Sequence, residues 1–271
     1  MLGFIVPIKP KEYSKNWAFD NLLLERTARS ICNQENDDFK LIIVYTDKPE
    51  INFTHRNIHY IHFPFSMIKH YELTDWHERK KWHSAEVAER MMDKGRKIAL
   101  GCKKAKELNC NYLMGVDSDD LVSSKLGTFV TNYSVANCPG WRINLGYLYE
   151  DNAFFAIKND RIWFINGSTH IIRADLVHVP DLENDYAFHS FSLFENHAWT
   201  YEEILNSYNE TLQPIPFYGV IYLVHKNNYS TINKFVSGMP VRLVVKKFLK
   251  GKIVGQKMRQ EFGLYKLERE V

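Results

Sequence analysis

The sequence predicts an α/β domain built on a mostly parallel sheet, and three observations carry that expectation. The apolar run Leu2 to Ile8, an amphipathic stretch, and the β-branched and aromatic run Phe39 to Thr46 make a strand, helix, strand unit within roughly 45 residues. Such a unit implies parallel strands, a right-handed crossover and helices on both sheet faces. A further short strand, Tyr112 to Val116, ends directly on Asp117, Ser118, Asp119 and Asp120, which sets carboxylates at the sheet edge where ligands of open α/β folds bind. A hydrophobic content of 45%, with 14% aromatic residues, is enough to fill the core of one elaborated domain.

Each element has its own signal. Pro7 and Pro10 close the first strand. From Asn21 to Asn33 the apolar residues Leu22, Leu23, Leu24, Ala28, Ile31 and Cys32, with Glu25, Arg26 and Arg29 between them, give one apolar face and predict a helix. The second strand stops at Asp47, Lys48 and Pro49, and a third is expected at Ile58 to His62. A long helix is expected from Ser84 to Leu108, with Gly95 and Gly101 as breaks. Beyond Asp120 short strands are expected at Asn144 to Tyr149, Phe154 to Lys158, Arg161 to Ile165, Thr169 to Arg173 and Val220 to His225, with a helix over Phe191 to Tyr208.

Composition narrows the function classes. With 35 basic and 32 acidic residues the chain lacks the dominant basic surface of a nucleic-acid binder, so no nucleic-acid partner is expected. Cys32, Cys102, Cys110 and Cys138 have no CxxC spacing and read as free, buried thiols. The N-terminus has no signal-peptide pattern and no apolar run reaches a membrane span, which predicts a cytoplasmic protein. Residues 241–271 carry nine Lys or Arg against three Glu. They read as a basic amphipathic tail that either packs on the domain or touches the inner face of an anionic membrane. The N-x-S/T sequons, Asn166 among them, are expected by chance in an Asn-rich chain.

Carboxylates two positions apart at a strand end suit a hard divalent cation, Mn²⁺ or Mg²⁺, which would neutralise charge on a leaving diphosphate. The alternative is that Asp119 and Asp120 cap a following helix. The run LLLERTARSICNQENDDFKLIIVYTD, with Ser30, Gln34 and Asp47, and the run YLMGVDSDDLV resemble the nucleotide-binding half of glycosyltransferase family 2. The Leu24-Glu25-Arg26 start and Asp38-Phe39 are similar to the rhamnosyltransferase branch of that family.

The resemblance implies the glycosyltransferase A fold, a single Rossmann-like three-layer α/β/α domain with a mostly parallel mixed sheet. Residues 1–240 would form the catalytic domain, 1–120 its nucleotide-sugar half and 121–240 its acceptor half. It implies donor-nucleotide contacts from Pro7, Asp47, Asp117 and Ser118, with Arg96 or Lys97 at the diphosphate, and metal ligands Asp117 and Asp119. His225, at the end of an apolar strand, is expected to complete the metal site or meet the diphosphate, with Asn228 and Ser230 nearby. The family's Glu-Asp base pair is not intact in Pro180 to His189, where Asp185 and then Glu183 are the expected base. Trp141 and Arg142 are the expected acceptor contacts. The resulting expectation is a hexosyltransferase that moves a sugar, with inversion, from a nucleoside diphosphate-sugar donor to a hydroxyl of a glycan, lipid-linked or envelope polysaccharide acceptor.

Two other functions fit parts of the same pattern. One is a non-catalytic nucleotide- or glycan-binding relative. The other is a DxD phosphohydrolase, although its motif would normally follow the first strand rather than a fourth. A nucleotidyltransferase would need a Gly-rich loop after the first strand, and Pro7 to Lys11 has none.

Overall fold

The computed structural model describes residues 1–134, 138–195, 211–224 and 250–267. Strand β1 (Leu2–Pro7) lies between β2 (Phe39–Tyr45) and β4 (Tyr112–Gly115), with β3 (Ile58–His62) outside β2. These four strands are parallel, Leu2 standing level with both Phe39 and Tyr112. Past β4 the seven-stranded sheet continues through β9 (His170–Arg173), β6 (Gly140–Arg142) and β10 (Gln213–Pro214), with β9 antiparallel to both neighbours. The sheet is mixed and mostly parallel, as expected.

A second, five-stranded sheet was not legible in the sequence. It runs β12 (Gly251–Ile253), β8 (Phe155–Asn159), β7 (Leu145–Glu150), β11 (Tyr218–Val224) and β5 (Leu121–Val122). Period-two alternation sorts the strands' side chains between cores. Phe4, Val6, Leu41 and Ile43 share one core with Leu24, Ala28 and Ile31 of helix α1 (Trp17–Ile31) and with Val220 and Tyr222. Ile5, Ile42 and Val44 face the opposite way, onto Met92, Ile98 and Ala99 of a long helix. Ile221 and Leu223 point into a third core. Burying one such aliphatic side chain is worth about 1.5–3 kcal/mol, so the alternation fixes which face each strand presents.

The helices correct several expectations. Helix α1 starts at Trp17, four residues earlier than its apolar stripe suggests, because the Asn16 side chain accepts from the Phe19 amide and caps it. After the short α2 (Trp76–Arg79), helix α3 (Ala85–Glu107) runs unbroken through Gly95 and Gly101, capped at Ser84. Gly101 is there for contact: a Cβ would stand 2.3 Å from Ile5 Cγ2, so its absence lets α3 lie close on β1. Residues 161–165, expected as a strand, instead make a 3-10 turn at Ile162–Phe164. Helix α4 (Leu126–Tyr133) follows β5, and helix α5 (Phe188–Glu195) begins three residues before the expected Phe191.

The described part of the tail belongs to the domain. Strand β12 pairs with β8, and helix α6 (Gln256–Phe262) sends Met258 and Phe262 into the third core beside Leu23, Tyr147 and Leu223. The stretch 241–249 lies outside the described residues. Cys102, Cys110 and Cys138 are buried and free, and burial pushes the Cys102 thiol up to about 12. Cys32 is half-buried and is likewise pushed up to about 12.

Candidate active site

The chain leaves β1 for β2 on one side and returns through α3 to β4 on the other. The carboxyl ends of β1 and β4 are therefore a topological switch point, where open α/β sheets hold ligands. A cleft of about 410 Å³ opens there. Pro7 to Pro10 after β1, the first turns of α1, one face of α3, and Asp117, Ser118 and Asp119 after β4 form its walls, and Ile165 to Gly167 close one side.

Two side chains of α1 and one just beyond its end fix the acidic segment. Thr27 Oγ1 donates to the Ser118 carbonyl at 3.0 Å. Ser30 Oγ donates to the Val122 carbonyl at 3.1 Å and accepts from the Val122 amide at 2.9 Å. Gln34 donates to the Ser123 carbonyl and accepts from the Gly127 amide. The Ser30 and Gln34 of the sequence resemblance thus act on the backbone beyond the motif. That segment forms β5 and not a helix, so the helix-cap alternative for Asp119 and Asp120 is excluded.

The loop before β9 supports the motif from the other side. Ser168 Oγ accepts from the Asp117 amide at 2.9 Å and donates to Asp120 Oδ2 at 2.5 Å, while Asn166 Nδ2 donates to the same oxygen at 2.9 Å. Asp120 is fully buried, and its Oδ1 has no hydrogen-bond partner among the described residues. Burial, reinforced by the like charges of Asp119 and Asp117, pushes its carboxyl well above the ordinary carboxylate range. Three carboxyls stand within four residues, one of them buried with an orphaned oxygen. An all-oxygen set of this kind fits Mg²⁺ or Mn²⁺. Among the described residues no three His, Cys, Asp or Glu side chains form a complete cage. Mg²⁺ commonly uses one or two carboxylates and completes its shell with substrate phosphates and water.

Cationic side chains interleave with these carboxylates. Lys94 Nζ lies 2.5 Å from Asp117 Oδ1, and Lys9 lies 2.8 Å from Asp20. Lys97 is fully buried and donates to Asp93 at 2.7 Å and to the Ile8 carbonyl at 2.8 Å, which ties α3 to the end of β1. Burial outweighs this pairing on both partners, raising the Asp93 carboxyl and lowering the Lys97 ammonium from their ordinary values.

The sequence-derived candidates divide clearly. Pro7, Lys97, Asp117, Ser118 and Asp119 line the cleft together. Arg96 does not: it is buried, donates to the carbonyls of Ser66 and Leu182, and lies over the Phe63 and Phe65 rings. Asp47 accepts from the Lys11 amide at 2.7 Å and fastens the loop after β1. Trp141, expected as an acceptor platform, is a core residue packed on Tyr112 and Phe129, because β6 lies inside the sheet. Arg142 bonds Asn144 and lies over the ring of Trp163. Asp185 accepts from the Ala187 amide, and neither it nor Glu183 lines the cleft. His225, Asn228 and Ser230 lie outside the described residues.

Sequence reasoning missed Lys94, Asp93, Asn166 and Ser168. Lys94 could have been found from its four-residue spacing to Arg90 on a helix facing the sheet edge. Asn166 was seen only as a sequon, although Asn-Gly-Ser-Thr running into a strand is a compact polar loop able to satisfy a buried carboxyl.

No helix among the described residues is long and apolar enough to cross a membrane. No family model matches the chain, and no curated protein matches it in sequence. Among solved structures it aligns with S. aureus TarS 1-349 at a TM-score of 0.45 and 13% identity, covering 96% of this chain and 68% of that one. TarS 1-349 in complex with UDP-GlcNAc aligns at 0.44 and 12% identity, covering 96% and 69%. Francisella tularensis 2-C-methyl-D-erythritol 4-phosphate cytidylyltransferase (IspD) aligns at 0.40 and 11% identity, covering 86% and 96%. At this level of likeness the functional reading rests on the residues of this chain alone.

Proposed function

We propose that the cleft binds a nucleoside diphosphate-sugar with a divalent cation at Asp117 and Asp119, and that the protein transfers the sugar to a hydroxyl acceptor. The observation that carries this reading is the acidic motif itself, braced from both sides at the sheet's switch point and opening on the cleft with the buried Asp120 behind it. When bound, the cation supplies positive charge to the leaving diphosphate. The chain's own contribution is to hold the motif rigid through Thr27, Ser30 and Ser168, so that little reorganisation accompanies the reaction. A glycan or lipid-linked hydroxyl is the acceptor class proposed, with inversion.

Asp185 is proposed as the base for the acceptor proton, which requires the acceptor to extend past the cleft's lining to the turn that carries it. Arg96 donates to the Leu182 carbonyl and so ties the turn that carries Asp185 to α3.

A panel of nucleotide-sugars with Mn²⁺ or Mg²⁺ tests the proposal through release of the nucleoside diphosphate. One donor is expected to turn over, with Asp119→Ala lowering the rate at least about 100-fold, equivalent to about 2.7 kcal/mol. Asp185→Asn is expected to slow transfer to an acceptor while leaving donor affinity intact. Release that ignores both the metal and Asp119→Ala would overturn the reading, and cleavage of simple phosphomonoesters would favour the phosphohydrolase.

A further inference from the structure

One face of α3 presents Arg90, Lys94 and Lys97 to the cleft at helical spacing, and the three cations are held very differently. Lys97 is locked between Asp93 and a backbone carbonyl with no exposed surface, so it is part of the wall. Arg90 pairs with Glu86 on its own helix. Lys94 pairs across the cleft with Asp117, the first carboxylate of the acidic motif, and the two side chains are 32% and 30% exposed. A pair this open to water contributes little to stability, and a lysine's flexible four-carbon stem lets its ammonium relocate.

We propose that Lys94 is an exchangeable counter-ion: it neutralises Asp117 in the donor-free protein and passes to the donor diphosphate when a divalent cation takes Asp117. This rests on reading the cleft as a nucleoside diphosphate-sugar site. A cation arriving alone must evict an ammonium and leaves it facing like charge. A diphosphate arriving alone either draws Lys94 away and leaves Asp117 bare beside phosphate, or meets Lys94 already engaged. When the two arrive together, both charges are satisfied by one exchange. Lys94 therefore makes the binding of cation and nucleotide interdependent, and linkage requires that dependence to be reciprocal.

The test measures Mn²⁺ binding by electron paramagnetic resonance with and without nucleotide, and binding of UDP, GDP, dTDP and CDP by calorimetry with and without Mn²⁺. Wild type, Lys94→Gln and Lys94→Arg are compared after circular dichroism shows that each is folded. In wild type, Mn²⁺ and one nucleotide are expected to tighten each other's binding. Lys94→Gln is expected to bind Mn²⁺ alone about tenfold tighter and the nucleotide with Mn²⁺ about tenfold weaker. Lys94→Arg is expected to restore the wild-type signs. A Lys94→Gln variant within twofold of wild type in both affinities overturns the assignment of Lys94 while leaving the cleft reading intact. Wild type that binds neither Mn²⁺ nor any of the nucleotides overturns both.

Discussion

Lys97 and Lys94 stand on the same helix face, line the same cleft and each pair with an aspartate, yet they do opposite work. Lys97 and Asp93 are 0% and 6% exposed, and the lysine also donates to the Ile8 carbonyl. Lys94 and Asp117 keep about a third of their surface in water. A buried pair gains little net energy over apolar replacements, but breaking it strands a charge in a low-dielectric interior. A half-exposed pair can be opened cheaply because water takes over both partners. The comparison shows that the position of a salt bridge in the wall, more than its length, decides whether it builds the site or serves it.

The comparison can be broken most directly at Lys97. Lys97→Met leaves Asp93 buried without its cation and the Ile8 carbonyl without a donor, and is expected to cost about 3–5 kcal/mol in urea denaturation. Lys94→Met measured in the same way is expected to cost under about 1 kcal/mol. Equal losses from the two variants would remove the distinction.

Asp75 sharpens the comparison from outside the cleft, as a capping carboxylate. It accepts from the Phe188 and His189 amides at the start of α5. Burial raises its carboxyl, but those two amides, His189 and Arg79 outweigh burial and leave it below its ordinary value of 3.8. A carboxyl depressed in the folded state stabilises above its unfolded value, and that contribution is lost as pH falls through the folded one. Asp75→Ala is therefore expected to cost about 1 kcal/mol at pH 7. The gap to wild type should shrink as pH falls below the ordinary value of 3.8, and a gap that persists at low pH would contradict the capping role.

Much of the first half was legible because its signals are local. β1, β2 and β4 carry dense apolar runs that only a sheet buried on both faces accommodates. The acidic edge follows from where β4 stops. What could not be read depends on partners distant in sequence. β5 is only Leu121–Val122, and it is a strand because Val220 and Ile221 pair with it. Trp141 was expected as an acceptor contact, but β6 fits between β9 and β10 and buries it. Gly140, at a φ of 137° with the Ile171 carbonyl 1.9 Å from where a Cβ would stand, permits that close approach. The support given by Asn166 and Ser168 to Asp120 spans more than forty residues, beyond any periodicity.

The central claim, a nucleotide site whose cation sits on the acidic motif, is most directly tested by thermal shift with UDP, GDP, dTDP and CDP, each with and without Mn²⁺, on wild type and Asp119→Ala. A ligand at 100 times its dissociation constant stabilises the fold by about 2.7 kcal/mol. The account predicts Mn²⁺-dependent stabilisation of wild type by one nucleotide, lost in Asp119→Ala. Stabilisation that is equal without Mn²⁺ or equal in Asp119→Ala, or no stabilisation by any nucleotide, would contradict it.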